Sequence, residues 1–263
     1  MTLSDELLEI ARETALEAGA LLRTRAGAVR ELVETKSSPT DMVTEVDRAS
    51  EALIVERILA ARPLDGILGE EGAARAGSSG VRWVIDPLDG TTNYLYGLPA
   101  YAVSIAAEHS GTAVAGVVYD AAHDDLYAAA GGEGATCNGK PIVVSLADQL
   151  PIALVGTGFG YSPVRRAKQA LLLQSVIAGI RDIRRAGSAA LDLCSVACGR
   201  LDAYFEWGLQ PWDMAAGRLI VEEAGGRTEV VATFDGAPLL IAANGALSDD
   251  FRRLISTHAN KLA

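Results

Sequence analysis

The chain has 263 residues, of which 49% are hydrophobic, 22% charged and 5% aromatic. This composition excludes a disordered or collagen-like protein and suffices for a sizeable buried core. The formal net charge of −11 argues against a nucleic-acid or anionic-membrane surface, since such surfaces need clustered lysines and arginines. A small anionic substrate is compatible with this charge if metal ions supply the positive charge.

Other features of the composition predict a cytoplasmic protein. The longest apolar runs, such as residues 100–107, are much shorter than the ~20 residues that span a bilayer. The N-terminal segment has no basic stretch followed by an apolar one, so no secretory signal is expected. The three cysteines form no CxxC pair, which favours a reducing compartment over a disulfide framework.

The first 150 residues are predicted to form two helices followed by short strands. Apolar positions at helical spacing predict helices over residues 4–25 and 45–61, separated by a polar loop at 36–41. The dipeptide Asn138-Gly139 predicts a tight turn. Glycine-rich turns between short apolar segments predict an antiparallel meander, with strands at residues 67–68, 81–85, 102–107, 114–119 and 126–129.

From about residue 150 the pattern alternates between strands and helices. The predicted strands lie at residues 152–155, 183–184, 201–206 and 239–242. The predicted helices lie at residues 164–180, 189–197, 214–224 and from 248 onward. This alternation favours an α/β half behind an α+β N-terminal half. We therefore expect two closely packed subdomains, residues 1–150 and 151–263.

The segment DPLDGTTN at residues 86–93 carries the strongest chemical signal. An apolar strand is predicted to end at Asp86, where the fixed φ of Pro87 forces a turn. Such a turn brings Asp86 and Asp89 to the same side, with the Leu88 carbonyl between them. Gly90 lacks a Cβ, so an anion can approach its backbone, and the following threonines are typical of a helix start. Taken alone, the segment is explained equally well by an ordinary surface turn.

Two further acidic segments make a cation site the better explanation. Glu70 and Glu71 follow a short predicted strand, and Asp213 begins a predicted helix. Glutamates beside glycine are usually solvated, and an aspartate at a helix start is usually a cap. Because all three segments are present together, we favour a shared acidic site in the first subdomain that the second subdomain completes.

The combination resembles the inositol monophosphatase family of Mg²⁺-dependent, lithium-sensitive sugar phosphatases. The resemblance covers nearly the whole chain. It depends on four blocks, at residues 36–47, 69–71, 86–93 and 212–226, of which DPxDGTTN with a later WDxA is highly specific. It implies a layered α-β-α-β-α sandwich of the sugar phosphatase type and a homodimer.

The resemblance also implies a set of metal ligands. Two or three Mg²⁺ ions would be held by the side chains or carbonyl oxygens of Glu70, Asp86, Leu88, Asp89 and Asp213. These oxygen donors are the ligands that Mg²⁺ prefers. Two carboxylates at ~4 Å repel by about 4 kcal/mol at an effective dielectric of ~20, so four in one cleft need a divalent cation.

By the same resemblance, a metal-activated water attacks the phosphorus directly, in line with the leaving alkoxide. Glu70 and Thr91 would orient this water, and Asp47 would accept the proton of the Thr91 hydroxyl. The Gly90 and Thr91 amides would cradle the phosphate. Lys36 is a possible lid residue over the site, although a solvated lysine explains its position equally well.

The substrate is left open among several phosphate esters. Glu206 and the segment Gly187-Ser188-Ala189 match family positions that line the sugar pocket, with Asp213 nearby, and they favour inositol monophosphate or a similar polyol phosphate. Fructose 1,6-bisphosphate, histidinol phosphate and nucleotide 3′-phosphates are the alternatives.

Two further questions stay open. Arg184 and Arg185 either steer an anion or support a subunit interface, and the sequence does not separate these roles. An alternative of another class is a catalytically silent regulatory protein that binds metal or sugar phosphate. The intact set of Glu70, Thr91 and Asp47 argues against it.

Overall fold

The computed structural model describes residues 2–26, 33–35 and 42–259. Within these ranges the helices are α1 (Leu3–Arg25), α2 (Glu45–Ala61), α3 (Thr91–Tyr96), α4 (Pro163–Val176), α5 (Ala189–Ala197), α6 (Pro211–Glu223) and α7 (Ser248–Ala259). The strands that form the large sheet are β3 (Gly66–Gly69), β4 (Ala74–Arg75), β5 (Val81–Asp89), β6 (Ala102–His109), β7 (Thr112–Asp120), β8 (Asp125–Ala130), β9 (Ala135–Cys137) and β10 (Lys140–Ile142). A separate pair comprises β1 (Val33–Thr35) and β2 (Met42–Thr44).

A smaller, five-stranded sheet contains β11 (Leu154–Thr157), β12 (Asp182–Arg184), β13 (Ala203–Trp207), β14 (Gly226–Phe234) and β15 (Ala237–Asn244). Its strand order is β12-β11-β13-β15-β14, with β11 parallel to both of its neighbours. The large sheet has the order β10-β9-β8-β7-β6-β5-β3-β4. The two sheets are the main framework for the helices.

One part of the predicted meander is wrong. From β5 to β10 the large sheet is antiparallel, but β3 pairs with β5 in parallel. The chain reverses once into β4 on one side of β3 and then crosses to the other side, so β5 runs in the same direction as β3. This crossing is important because it places the end of β3 beside the end of β5.

The side chains of the sheets alternate between layers, as expected for a period of two. On β5, Trp83 and Ile85 pack in the cluster formed with α1 and α2, whereas Val84 packs in the cluster formed with α5 and α6. Helices α4 and α7 cover the outer face of the small sheet, where Phe251 contacts Phe205 edge to face. The predicted α-β-α-β-α sandwich is thus confirmed.

Small residues allow α6 to lie close to its neighbours in the middle layer. A Cβ on Gly116 of β7 would stand 3.1 Å from the Ala216 Cα, and a Cβ on Gly217 would stand 2.7 Å from the Leu193 side chain. Close packing of α6 fixes the position of its N-terminus, which carries Asp213. The packing therefore sets the geometry of the site.

Several predicted boundaries shift. The helix predicted to reach residue 180 ends at Val176 and continues as a short 3₁₀ turn, Ile177–Gly179. The strand predicted at 152–155 begins at Leu154, because a 3₁₀ turn containing Pro151 precedes it. Strand β14 was missed, since it is an edge strand in which no residue is buried.

Two other sequence expectations concern the turn and the membrane. The turn at Asn138-Gly139 is confirmed, with φ values of 50° and 73° that match a type I′ hairpin turn. In the part of the chain that the structure describes, no helix is long and apolar enough to cross a bilayer. The division into subdomains near residue 150 stays a prediction.

Candidate active site

A cleft of about 540 Å³ is lined by residues of both sheets and collects most of the predicted site residues. Its lining includes two sets of acidic residues: Glu70, Asp86, Asp89 and Asp213 form the first, and Glu206 with Asp192 forms the second. We call these the acidic end and the leaving-group end. The lining also includes Leu88, Gly90, Thr91, Gly187 and Ala189.

A β-bulge, and not a turn, brings Asp86 and Asp89 to the same side. Strand β5 runs on through Pro87, and Asp86 pairs with Ser104 of β6 while Asp89 pairs with Ala102. Three steps along β5 thus match two steps along β6. Residues three apart in a regular strand face opposite sides, and the extra residue cancels this difference. The predicted end of the strand at Asp86 is therefore corrected, whereas the predicted juxtaposition is confirmed.

Polar contacts from all sides hold the bulge. The Asp86 carboxylate accepts a hydrogen bond from the Leu88 amide at 3.1 Å. Ser50 of α2, which is fully buried, donates to the Pro87 carbonyl at 2.9 Å. The Thr91 hydroxyl donates to the Leu88 carbonyl at 3.0 Å. Because Pro87 itself has no N–H, these bonds replace part of the missing ladder.

Helix α2 supports the site with one polar face. Asp47, Ser50 and Glu51 are three and four residues apart and are all buried. The Glu51 carboxylate accepts hydrogen bonds from the amides of Glu71 and Ala73 at 2.9 and 3.0 Å, which fixes the turn after Glu70. The predicted hydrogen bond between Asp47 and Thr91 stays a prediction.

The parallel register of β3 and β5 places Glu70 beside Asp86. Gly69 pairs with Ile85, and the Glu70 amide donates to the Ile85 carbonyl at 3.1 Å. The next residues on the two strands are Glu70 and Asp86, so their carboxyl groups emerge together. A Cβ on Gly69 would stand 2.1 Å from a Glu51 oxygen, so glycine leaves the space that this carboxylate fills.

Asp213 is both a helix cap and a cleft residue. Its carboxylate accepts a hydrogen bond from the Gln210 amide at 2.6 Å, at the beginning of α6. The same side chain lines the cleft. The sequence left open whether Asp213 is a helix cap or a cation ligand, and the two roles are compatible. The cap uses one carboxylate oxygen and fixes the direction of the other.

The carboxyl groups of the acidic end strongly affect one another. Burial raises the pKa of Asp86 well above its usual range, and the nearby Glu70, Asp89 and Asp213 carboxylates raise it further. Burial likewise raises the pKa of Asp213, with Asp89 as its strongest acidic neighbour. Within the described ranges, no lysine or arginine forms an ion pair with Asp86, Asp89 or Asp213. In the described part of the chain, these three aspartates therefore have no paired basic side chain to balance their charge.

Asp89 differs from Asp86 because hydrogen bonds to its carboxylate offset part of the rise in pKa that burial causes. Burial raises its pKa, while donors from Ser188 and the Ala190 amide, at 2.6 and 2.7 Å, lower it. Ser188 is buried and also caps α5 by accepting from the Leu191 amide at 3.2 Å. It supports Asp89 from behind, whereas its neighbours Gly187 and Ala189 line the cleft.

Gly90 connects the bulge to α3. It precedes the six-residue helix with a φ of 87°, and a Cβ there would stand 2.7 Å from the Ala100 carbonyl oxygen. Both observations favour glycine at this position. Asn93 of α3 donates to the carbonyls of Ala100 and Ala186, at 2.7 and 2.9 Å, which joins α3 to the segment before Gly187.

At the leaving-group end, the sequence predicted Glu206 but not Asp192. Burial raises the pKa of Glu206 to about 7, against a lowering effect of the Tyr204 hydroxyl, which donates to it, and of Arg185. Burial also raises the pKa of Asp192 well above its usual range, and Glu206 adds to the effect. A Cβ on Gly158 would stand 1.9 Å from a Glu206 oxygen, so glycine leaves room for this carboxylate.

Sequence reasoning missed Asp192 and Arg165 and left Arg185 unresolved. Asp192 is the single acid in the otherwise apolar segment 189–198, which was a usable signal. Arg165 lies near the start of α4, and no motif points to it. Arg185 lines the cleft, whereas Arg184 lies outside it and pairs with Asp182 at 2.7 Å. Lys36, the possible lid residue, lies outside the described residues.

The donor chemistry of the acidic end fits Mg²⁺. Carboxylates and a backbone carbonyl are hard oxygen ligands, and a bound cation would offset the negative charge of the carboxylates. Among the described residues, however, no three acidic, histidine or cysteine side chains already form a cluster that can hold a metal ion.

Comparisons with known proteins agree over nearly the whole chain. Residues 3–261 match the sequence model of the inositol monophosphatase family. Inositol-1-monophosphatase SuhB of Mycobacterium tuberculosis is 47% identical over 264 residues, covering 93% of this chain and 91% of the relative. The Nus factor SuhB of Pasteurella multocida is 41% identical, covering 97% and 95%. The solved structure of Mycobacterium tuberculosis SuhB superposes with a TM-score of 0.86 at 44% identity and covers 98% of both chains.

Proposed function

The chain belongs to the inositol monophosphatase family, and from this premise we propose that it is a Mg²⁺-dependent phosphomonoesterase. The proposed substrate is inositol monophosphate or a similar sugar phosphate. The observation that carries the proposal is the acidic end, where Glu70, Asp86, Asp89 and Asp213 line one cleft, and no described lysine or arginine pairs with the three aspartates. Such a site both needs a divalent cation and, with it, attracts a phosphate.

Two or three Mg²⁺ ions would be held by the four carboxylates and the Leu88 carbonyl. When bound, they would neutralise the phosphate and lower the pKa of the attacking water. In the proposed mechanism Glu70 and Thr91 orient that water, and the Gly90 and Thr91 amides hold the phosphate oxygens. The water attacks phosphorus from the side opposite the ester oxygen and the P–O ester bond breaks. The leaving alkoxide takes up a proton from solvent water, and no covalent phosphoenzyme forms.

The proton is proposed to leave the water through Thr91 to Asp47. In the structure the Thr91 hydroxyl donates to the Leu88 carbonyl, so this relay requires the hydroxyl to rotate from Leu88 toward Asp47. Asp47 is buried on the polar face of α2, in a position fixed by the same helix that supports the bulge. Ser188 and the Ala190 amide keep Asp89 in its orientation throughout.

The leaving-group end is proposed to bind the polyol. Glu206, with a pKa raised to about 7, presents a carboxyl group to sugar hydroxyls next to Gly187 and Ala189. Ser188 would act there through Asp89, since it is buried behind that side chain. Fructose 1,6-bisphosphate, histidinol phosphate and nucleotide 3′-phosphates use the same chemistry and are the alternative substrates.

The test is phosphate release by the purified full chain. We expect release from inositol 1-phosphate with Mg²⁺, loss of release with a chelator, recovery on adding Mg²⁺ back, and inhibition by Li⁺. Inositol, fructose, histidinol and nucleotide phosphates compared side by side identify the substrate. No phosphate release from any of them with Mg²⁺ present would refute the proposal. Light scattering on the same sample tests the homodimer.

A second candidate is a binding role without turnover. The similarity to a protein named Nus factor SuhB favours it. Titration calorimetry separates the two candidates, because this role predicts sugar-phosphate binding with no phosphate released. The acidic residues at positions 47 and 70 and the threonine at position 91, all present here, favour the enzyme.

A further inference from the structure

Asp192 is a buried acid on the wall of the cleft. It is 3% exposed, and among the residues that the structure describes no N–H or O–H group donates to its carboxyl group. Arg185 lowers its pKa through charge, from beyond ion-pair distance. By contrast, Asp65, which is 1% exposed, accepts hydrogen bonds from Ser79 and Trp83 at 2.6 and 2.9 Å. Burying a carboxyl group without such donors costs free energy, so a partner from outside the chain would explain this acid.

The Asp192 carboxyl group lies next to that of Glu206, on one side of β11. A Cβ on Gly156 of β11 would stand 3.6 Å from an Asp192 oxygen. A Cβ on Gly158, two positions later, would stand 1.9 Å from a Glu206 oxygen, and residues two apart in an extended chain face the same side. The Tyr204 ring lies 3.1 Å from the Gly156 Cβ position, and its hydroxyl donates to Glu206 at 2.5 Å. The two acids are therefore neighbours on the same wall.

Helix α5 places Asp192 between Glu206 and the acidic end. At the start of α5, the Ser188 hydroxyl and the Ala190 amide donate to Asp89 at 2.6 and 2.7 Å. The Asp192 amide donates to the Ser188 carbonyl at 3.0 Å, so Asp192 lies one turn farther along the same face of the helix. Both Glu206 and Asp89 raise the pKa of Asp192, in agreement with a position between them. A substrate that extends from the acidic end to Glu206 therefore passes Asp192.

We propose that Asp192 is a specificity-determining residue that forms a hydrogen bond with the substrate hydroxyl nearest to the phosphate ester. The inference rests on the proposed phosphatase function. Glu206 would bind a hydroxyl farther from the ester. A carboxyl group accepts a hydrogen bond from a hydroxyl and, when protonated, also donates one to it. The preferred esters are then those with a hydroxyl group on the carbon next to the ester carbon.

Two isomeric esters test this position in the full-chain protein at equal free Mg²⁺. Propane-1,2-diol 1-phosphate carries its hydroxyl next to the ester carbon, whereas propane-1,3-diol 1-phosphate carries it one carbon farther away. The two esters have the same charge and the same functional groups. We expect the 1,2 isomer to have the higher kcat/KM by about tenfold, as for one hydrogen bond to a buried acid.

Asp192→Leu should bring the ratio of the two kcat/KM values close to one, because leucine has no hydrogen-bonding group. Asp192→Asn should reduce the ratio by only about threefold, since the amide still forms a hydrogen bond with a hydroxyl. Asp65→Asn is the matched control and should leave the ratio unchanged, because Asp65 is similarly buried but does not line the cleft.

The melting temperature separates a role in binding from a role in the fold. Both Asp192 variants remove a buried acid without a donor, so we expect Tm to rise, by about 2–4 °C for Asp192→Leu. Asp65→Asn should lower Tm, because it weakens the hydrogen bonds of Asp65 and its ion pair with Arg62 at 3.0 Å. A structural role for Asp192 predicts a lower Tm in its variants as well.

The outcomes separate the two proposals. Equal kcat/KM values for the isomers in the unmodified protein, or a ratio that Asp192→Leu leaves unchanged, would overturn the role of Asp192 and leave the phosphatase proposal standing. A lower Tm with equal losses on both esters would also overturn it. Asp192→Asn supplies both measurements if the leucine variant does not fold. No phosphate release from either isomer or from inositol 1-phosphate with Mg²⁺ present would instead overturn the proposed function itself.

Discussion

The two ends of the cleft contain similar acids but differ in how their charge is balanced. At the acidic end the carboxyl groups raise one another's pKa, and the three aspartates have no basic partner in the described chain. At the leaving-group end Arg185 lowers the pKa of Glu206 and Asp192. We therefore expect the first end to need an external cation, whereas the second has a nearby arginine of its own chain.

This difference has a consequence for chemistry. Under the proposed function, the acidic end would be active only when a cation is bound, and every substrate would meet the same centre. Arg185 belongs to the chain and is always present, so we expect the leaving-group end to discriminate among substrates. The following experiments test this difference in role between the two ends, beginning with the largest expected effect.

Asp89→Asn should reduce phosphate release from every substrate by at least about 10²-fold, because it removes one negative charge from the ion site without changing the side-chain volume. Initial rates with inositol 1-phosphate and with p-nitrophenyl phosphate measure the loss. Asp182→Asn is the control, since this aspartate is exposed and its carboxylate contacts its neighbours Arg184 and Ile183 outside the cleft. Near-normal activity of Asp89→Asn would remove Asp89 from the proposed ligand set.

Glu206→Gln should separate the substrates from one another. We expect kcat/KM for inositol 1-phosphate to fall about tenfold, as when a charged hydrogen-bond partner is lost, with a much smaller change for p-nitrophenyl phosphate, which has no hydroxyl groups. Glu229→Gln, an exposed position on β14, is the control. Equal losses on both esters would contradict the division between the two ends.

The pH dependence of stability should also change in Glu206→Gln. Burial raises the pKa of Glu206 from 4.5 to about 7, so the folded protein binds a proton more readily than the unfolded chain does. Its contribution to stability is fully present below about pH 4.5 and is lost as the pH rises through about 7. Relative to Glu206→Gln, the unmodified protein should therefore lose Tm over this interval. Parallel Tm curves, recorded in one chelator-containing buffer series, would contradict the expectation.

Ser50→Ala should give the smallest effect, because it removes one buried support of the bulge and leaves every ligand in place. The Pro87 carbonyl loses its donor, which costs about 1–2 kcal/mol of unfolding free energy. Urea unfolding measures this cost, and the activity should fall only a few-fold. Ser175→Ala, on the exposed side of α4, is the control. A loss of activity as large as that of Asp89→Asn would mean that α2 contributes directly to the chemistry.

The sequence predicts the secondary-structure elements and the acidic end better than it predicts the leaving-group end. The helices and most of the strands follow from periodicity, because buried elements repeat their apolar positions locally, whereas the order of the five layers was implied by the family resemblance. The acidic end follows from short motifs in which Asp86 and Asp89 are close in the chain. Even there, the sequence predicted a turn, since a bulge depends on how β6 pairs with β5 and cannot be seen in one strand alone.

The leaving-group end escaped prediction for a physical reason. Arg165, Arg185 and Asp192 belong to α4, the segment after β12, and α5, and only the packing of the small sheet brings them to one cleft. No local spacing in the sequence predicts that these three residues line the same cleft. The edge strand β14 was missed for a related reason, since exposed strands have no buried face to impose a period.

Because of the bulge in β5, the number of residues between Asp86 and Asp89 decides whether their side chains lie on the same face of the sheet. One residue fewer between Asp86 and Asp89 would restore regular pairing with β6 and leave both side chains on the same face. One residue more, with the single-residue bulge kept, would turn Asp89 to the opposite face. Insertions and deletions are therefore not equivalent at this point, because only the insertion then moves a carboxylate into an apolar layer.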